Sequence, residues 1–153
     1  MRDEDEREEL SLNDAATHVL EECRTVVPGM QALFGFQLIA VFNNAFNSLS
    51  ASERIVHLIA LVLVTIAIVL VMAPAAVHRQ MDTRSMSSRF ITVASRLLMA
   101  SMVPLAIGIC LDVYLVSRVI VGSERIAALI AIPLLCVFTA FWLVLPRVIR
   151  KRS

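Results

Sequence analysis

Carboxylates are nearly missing from most of this chain. Nine of its 13 acidic residues lie in the first 22 positions, and from residue 28 to residue 146 only Glu53, Asp82, Asp112 and Glu124 are acidic. That scarcity excludes an ordinary soluble surface: about a quarter of a soluble domain is charged, against 18% here. Cysteine is scarce too. Cys23, Cys110 and Cys136 are scattered, which excludes a disulfide framework. The last two fall in apolar stretches, where a thiol acts as a small hydrophobe. Neither His-Glu-x-x-His nor Cys-x-x-Cys occurs, and His18 and His57 have no acid or cysteine at ligand spacing, so no metal is expected. The four glycines form neither a phosphate loop nor a Gly-x-x-x-Gly helix-pairing motif. No basic groove interleaved with aromatics is present, which excludes nucleic acid as a partner. The serines lack a base at a matching membrane depth, so no catalytic residue is assigned and no cofactor is implied.

What remains is apolar. Residues 28–49, 55–77, 90–116 and 126–146 form four stretches, each near the ~20 residues that a helix needs to cross about 30 Å of hydrocarbon. The expected fold is all-α: a four-transmembrane-helix bundle over 28–149 with a cytoplasmic amphipathic N-terminal helix. Residues 1–10, acidic and without a hydrophobic face, are expected to be disordered. Over 11–27, Leu12, Ala16, Val19, Leu20, Cys23 and Val27 recur at helical spacing and predict an amphipathic juxtamembrane helix. Pro28-Gly29 is expected to break it from the first span. Residues 78–89 are the longest internal polar loop, and 147–153 form a basic tail. The acidic start and the asparagines ending the first apolar stretch argue against a signal peptide there, and no lipidation motif is present. Orientation follows the basic residues. Of the 14, only Arg54, Arg118 and Arg125 fall on the side away from the termini. The basic excess belongs in the cytoplasm, so both termini are expected there.

Two runs look familiar. RTVVPGMQALFGFQ, residues 24–37, resembles an Arg-x-x-x-Pro-Gly-x-Gln-x-Leu-Phe-x-Phe pattern through Arg24, Pro28, Gly29, Gln31, Leu33, Phe34 and Phe36. Ala73, Pro74, Ala76, His78 and Arg79 resemble an Ala-Pro-x-Ala-x-His-Arg pattern, and Ala94 and Arg96 fit a small-residue and arginine pattern opening the third helix. Together, over about residues 15–147, these resemble domain of unknown function 6328 (DUF6328). The resemblance implies a small multi-pass protein of the bacterial cytoplasmic membrane. It also brings the sodium:proton antiporter label that some members carry. The loop MDTRSMSS departs from the basic Phe-Arg stretch common in that family.

Two polar groupings are candidates for function. Asp112 is the lone carboxylate within an expected span, about four residues from its outer end, with Asn43, Asn44 and Asn47 at similar depth on the first helix. A carboxylate in lipid is costly and must face the bundle, water or a partner. One reading is a proton- or cation-handling site. The blander one is a helix-end group paired with Arg118. The inner cluster is Arg24, Gln31, His78, Arg79 and Arg96. Clamping of helix ends and snorkelling to phosphates account for it, with an anionic-lipid or small-anion site as the alternative. The ranking is therefore a non-enzymatic assembling or accessory membrane protein first, an oligomeric cation or proton transporter using Asp112 second, and a membrane-embedded enzyme last. Expected partners are membrane lipids, including anionic ones, with a homo-oligomer or another membrane protein.

Overall fold

A computed structural model describes residues 2–80, 88–145 and 148, with side chains from Asp14 onward except at 80 and 88. The centre of the 78–89 loop and nearly all of the basic tail lie outside the described residues. The elements are α1 (Arg2–Ala40), a single turn α2 (Asn44–Asn47), α3 (Ala51–Gln80), α4 (Ser88–Val121), α5 (Glu124–Phe138) and a π-helical turn, Thr139–Val144, that continues α5. Among the described residues three helical stretches are long and apolar enough to cross a membrane: 51–79, 89–121 and 124–144. The chain is thus an all-α, multi-pass membrane protein.

α1 corrects three expectations. It starts at Arg2, so the acidic head is helical. Glu and Arg are good helix formers, and carboxylates suit the positive end of the helix dipole. It also runs unbroken through Pro28-Gly29. A Pro-Gly pair ends a helix when the glycine turns left-handed, and among the described residues only Gly122 has a positive φ. The turns on either side of Pro28 are pinned instead, since Cys23 and Met30 are buried in one cluster with Val71 and Leu98. Finally, α1 stops at Ala40 rather than near residue 49. The Asn43 Oδ1 accepts the Ala45 N–H at 3.0 Å and starts α2, the turn-forming habit of asparagine. Thr25–Ala40, the apolar part of α1, therefore reaches only roughly 24 Å. Arg24 adjoins it, Gln31 and Gln37 dilute it further, and α1 is not among the three spans, although four were expected.

α3 begins with a reciprocal capping box. The Ser50 N–H donates to Glu53 Oε2 at 2.7 Å, and the Glu53 N–H donates to Ser50 Oγ at 3.3 Å. α4 outruns its expected end at 116 and closes at Gly122, whose φ of 73° and N–H bond of 2.9 Å to the Arg118 carbonyl form a left-handed cap. Arg118 lies between Glu53 of α3 (3.5 Å) and Glu124 of α5 (3.9 Å), tying three helix ends together.

The core is the seam between α3 and α4. On α3 it runs through His57, Ala60, Val64, Ala67, Val71 and Pro74; on α4 through Ala94, Leu98, Ser101, Leu105, Gly108 and Leu115, all buried. Alternating steps of three and four residues are the 3.5-residue period of left-handed helix packing. Small residues let the backbones approach, as they do between membrane helices. Only 6% of the apolar window of α5 is buried, against 28% in α3 and α4. α5 is therefore the peripheral helix, touching the bundle through Ala127 and Ala131.

Candidate functional site

Asp112 lies on the α3-facing stripe of α4, one turn beyond Gly108. Because α4 runs on to Val121, Asp112 lies nine residues from that helix end, about 14 Å in at 1.5 Å per residue. This corrects its expected place beside the outer end. Its partner is not Arg118, which is engaged by Glu53 and Glu124. Instead, the Gln37 Nε2–H of α1 donates to Asp112 Oδ2 at 2.6 Å. His57 of α3 places Nδ1 3.9 Å from Asp112 Oδ1. The other ring nitrogen, Nε2, lies 3.0 Å from the Gln37 backbone carbonyl.

That last contact assigns the tautomer. A carbonyl oxygen only accepts, so His57 carries a proton on Nε2. Its acceptor is one of the last four carbonyls of α1, the set a helix leaves without full internal partners. His57 thus caps α1 with one nitrogen and addresses Asp112 with the other. Phe46 of α2 packs edge-on against the imidazole, ring centroids 5.4 Å apart. Each of α1, α3 and α4 supplies one member of this constellation.

The three residues line an open, mainly apolar pocket of about 410 Å³. Phe36, Leu49, Val116 and Ile120 are among its walls, and among the described residues no lysine or arginine lines it. Gln37 is 3% exposed, yet its Oε1 is buried without a hydrogen-bond partner. A buried carbonyl oxygen left unpaired costs about 1–3 kcal/mol, so this acceptor is a free valence of the site. The 3.9 Å between His57 Nδ1 and Asp112 Oδ1 is an ion-pair distance, too long for a direct hydrogen bond.

A family model described as "Family of unknown function (DUF6328)" matches residues 4–146. The chain belongs to this family. No curated protein and no solved structure matches it. In this DUF6328 chain the run 24–37 ends on Gln37, the α1 member of the constellation.

The other candidate residues are placed as follows. Asn43 lines the pocket while capping α2. Asn44 and Asn47 bound α2, and the Asn47 carbonyl accepts from Arg54 at 3.0 Å; neither lines the pocket. The inner cluster does not close into one site among the described residues. Arg24, Gln31, Arg79 and Arg96 are exposed, and His78 is half-buried with its ring tilted toward Phe90. Burial and the neighbouring Glu22 carboxylate push the Cys23 thiol up, which suits a packing role. No group of three potential metal ligands occurs among the described residues.

Gln37 is not among the candidates the sequence offers, and His57 enters there only as a residue without metal-ligand spacing. Both interrupt an apolar stretch, and that signal could have found them, because polar side chains at membrane depth face the bundle. Only the fold brings positions 37, 57 and 112 together.

Proposed function

We propose that this protein is a non-enzymatic, oligomeric membrane protein that takes up and releases a proton at the His57–Asp112 pair, in the manner of a proton-coupled transporter. The observation that supports it most is the Asp112 carboxylate held between Gln37 and His57, three polar groups from three helices inside an apolar bundle. Side chains of this kind within membrane helices mark proton and ion pathways. A bundle this small has no second half to rock against, and alternating access needs one. A second copy would supply it. The infrared carboxyl band of protein in lipid, followed through a pH titration, tests the reading. A protonation-dependent band that vanishes in Asp112→Asn is expected. In proteoliposomes with an imposed pH gradient, that variant should lose about nine-tenths or more of the flux. Wild-type flux in an intact Asp112→Asn oligomer would remove Asp112 from the function.

The assembling or accessory reading has its own support. Phe36 and Ile39 near the end of α1 and Phe42 in the turn beyond it are 72%, 65% and 88% exposed, a surface suited to another polypeptide.

In the same proposal the apolar half of α1 enters the membrane beside α3 and α4, and α2 completes a fourth crossing. Both termini then lie in the cytoplasm of a bacterial inner membrane, a reading supported by the excess of basic residues on that side. Reporter fusions at the two ends check this. Both should be active only as cytoplasmic fusions, and opposite signals from the two would leave three crossings.

A further inference from the structure

The pocket above Asp112 has a chemistry of its own. Its walls are almost wholly apolar, its volume of about 410 Å³ suits a small organic molecule, and Gln37, His57 and Asp112 meet in its lining, with Asn43 a further polar residue there. Those groups are acceptors in excess. Asp112 presents a carboxylate, and the buried Gln37 Oε1 has no donor. Among the described residues no lysine or arginine lines the pocket, and Arg118, six residues beyond Asp112, is held by Glu53 and Glu124. Two acceptors in an apolar pocket, one charged and one unsatisfied, call for a cation with at least two N–H donors and an apolar body. Phe36 and Phe46 are the aromatic walls, and Phe46 already holds one cation, the Arg54 guanidinium, 5.9 Å from its ring centroid.

We propose that this pocket binds amphipathic amines in their protonated primary or secondary form. The ammonium group sits between Asp112 and Gln37 Oε1, and the apolar tail lies along Val116 and Ile120. This deepens the proton-handling reading and rests on it, because the ammonium and the proton compete for one carboxylate. When Asp112 is protonated, entry of the ammonium group displaces that proton to solvent; when the amine leaves, the carboxyl takes a proton back. Asp112 is faced by Gln37 from α1 and by His57 from α3, so among the described residues His57 is the titratable neighbour of the exchange.

The probe is 4-phenylbutylamine, with 4-phenylbutanol as its uncharged match. Each is equilibrated by dialysis against the full chain in lipid nanodiscs, with empty nanodiscs subtracted. Saturable amine binding is expected, about tenfold or more tighter than that of the alcohol, and weakened by about tenfold or more in Asp112→Asn. Val119→Trp fills the pocket from its exposed rim without touching the polar residues and should abolish amine uptake while leaving the infrared titration of Asp112 in place. Equal uptake of amine and alcohol, or uptake indifferent to both substitutions, would overturn the proposal and make the pocket a seat for lipid chains. If Asp112 titrates and no amine saturates, the ligand class fails while the proton reading stands. If the amine saturates and Asp112 shows no titration, the proton reading fails and the ligand class stands.

Discussion

Substituting Gly108 is expected to cost more stability than the same change at Gly29 or Gly35. A Cβ at this position would meet Val64 Cγ2 at 2.9 Å, the Ala60 carbonyl oxygen at 3.3 Å and Leu63 Cβ at 3.7 Å. The first contact is closer than real Cβ atoms come. Val64 is fully buried, so its methyl has little room to turn away, and the second contact is backbone, which moves only with its helix. Overpacking of this kind costs about 1–3 kcal/mol. Gly108→Ala should fall in that range and Gly108→Val above it. Thermal melts in detergent, followed by the single Trp142, provide the measurement; about 2–4 °C is expected per kcal/mol for a chain of this size. Gly29→Ala and Gly35→Ala are the controls. Both glycines lie within α1, and an added Cβ meets nothing within 4 Å, so neither should lower the melt, alanine being the better helix former. A Gly108→Ala protein as stable as wild type would mean that α3 and α4 do not pack this closely. The effect should also reach the polar site. Gly108 lies one turn from Asp112, and Ala60 one turn from His57, so the contact that admits no side chain is the one that brings the pair within 3.9 Å.

The second large effect lies in the Gln37–Asp112 hydrogen bond. Asp112→Leu leaves the buried Gln37 amide N–H without its 2.6 Å acceptor, and Gln37→Leu leaves Asp112 Oδ2 without its donor. An unsatisfied buried polar group costs about 1–3 kcal/mol, whereas replacing both partners by apolar groups of similar shape can be nearly neutral. The double variant should therefore be more stable than the sum of the singles predicts, with a coupling of about 1–2 kcal/mol. Its leucine at 37 also removes the orphan Oε1. The bond from His57 Nε2–H survives in all three variants, because it ends on the backbone carbonyl of residue 37. Strict additivity in the same melts would show that the side chains do not meet.

How far the molecule could be read from its residues depends on the kind of signal. The second, third and fourth apolar stretches were legible because length and hydropathy are local properties: 55–77, 90–116 and 126–146 fall almost wholly within 51–79, 89–121 and 124–144. Boundaries were less so. Ser117 and Arg118 looked like a helix end, but α4 continues because Arg118 finds carboxylates on two other helices and Gly122 supplies the turn. Pro28-Gly29 looked like a break for the converse reason: local chemistry favours one, and the burial of Cys23 and Met30 on either side outweighs it. Asp112 stood out alone, as a single carboxylate in an apolar run does. Gln37 and His57 did not, because an amide or an imidazole in a membrane helix acquires meaning from what it faces, and what it faces lies 75 and 55 positions away in the chain.

Composition and the spacing of hydrophobic residues were enough, by themselves, to determine that this chain lives in a membrane as helices. A backbone in hydrocarbon must satisfy its own polar groups, and helices do so within one segment. The partner of Asp112, the close approach at Gly108 and the reach of α1 were decided only in three dimensions. Each depends on the contact between faces of separate helices, and that is a property of how the bundle closes rather than of any stretch of residues within it.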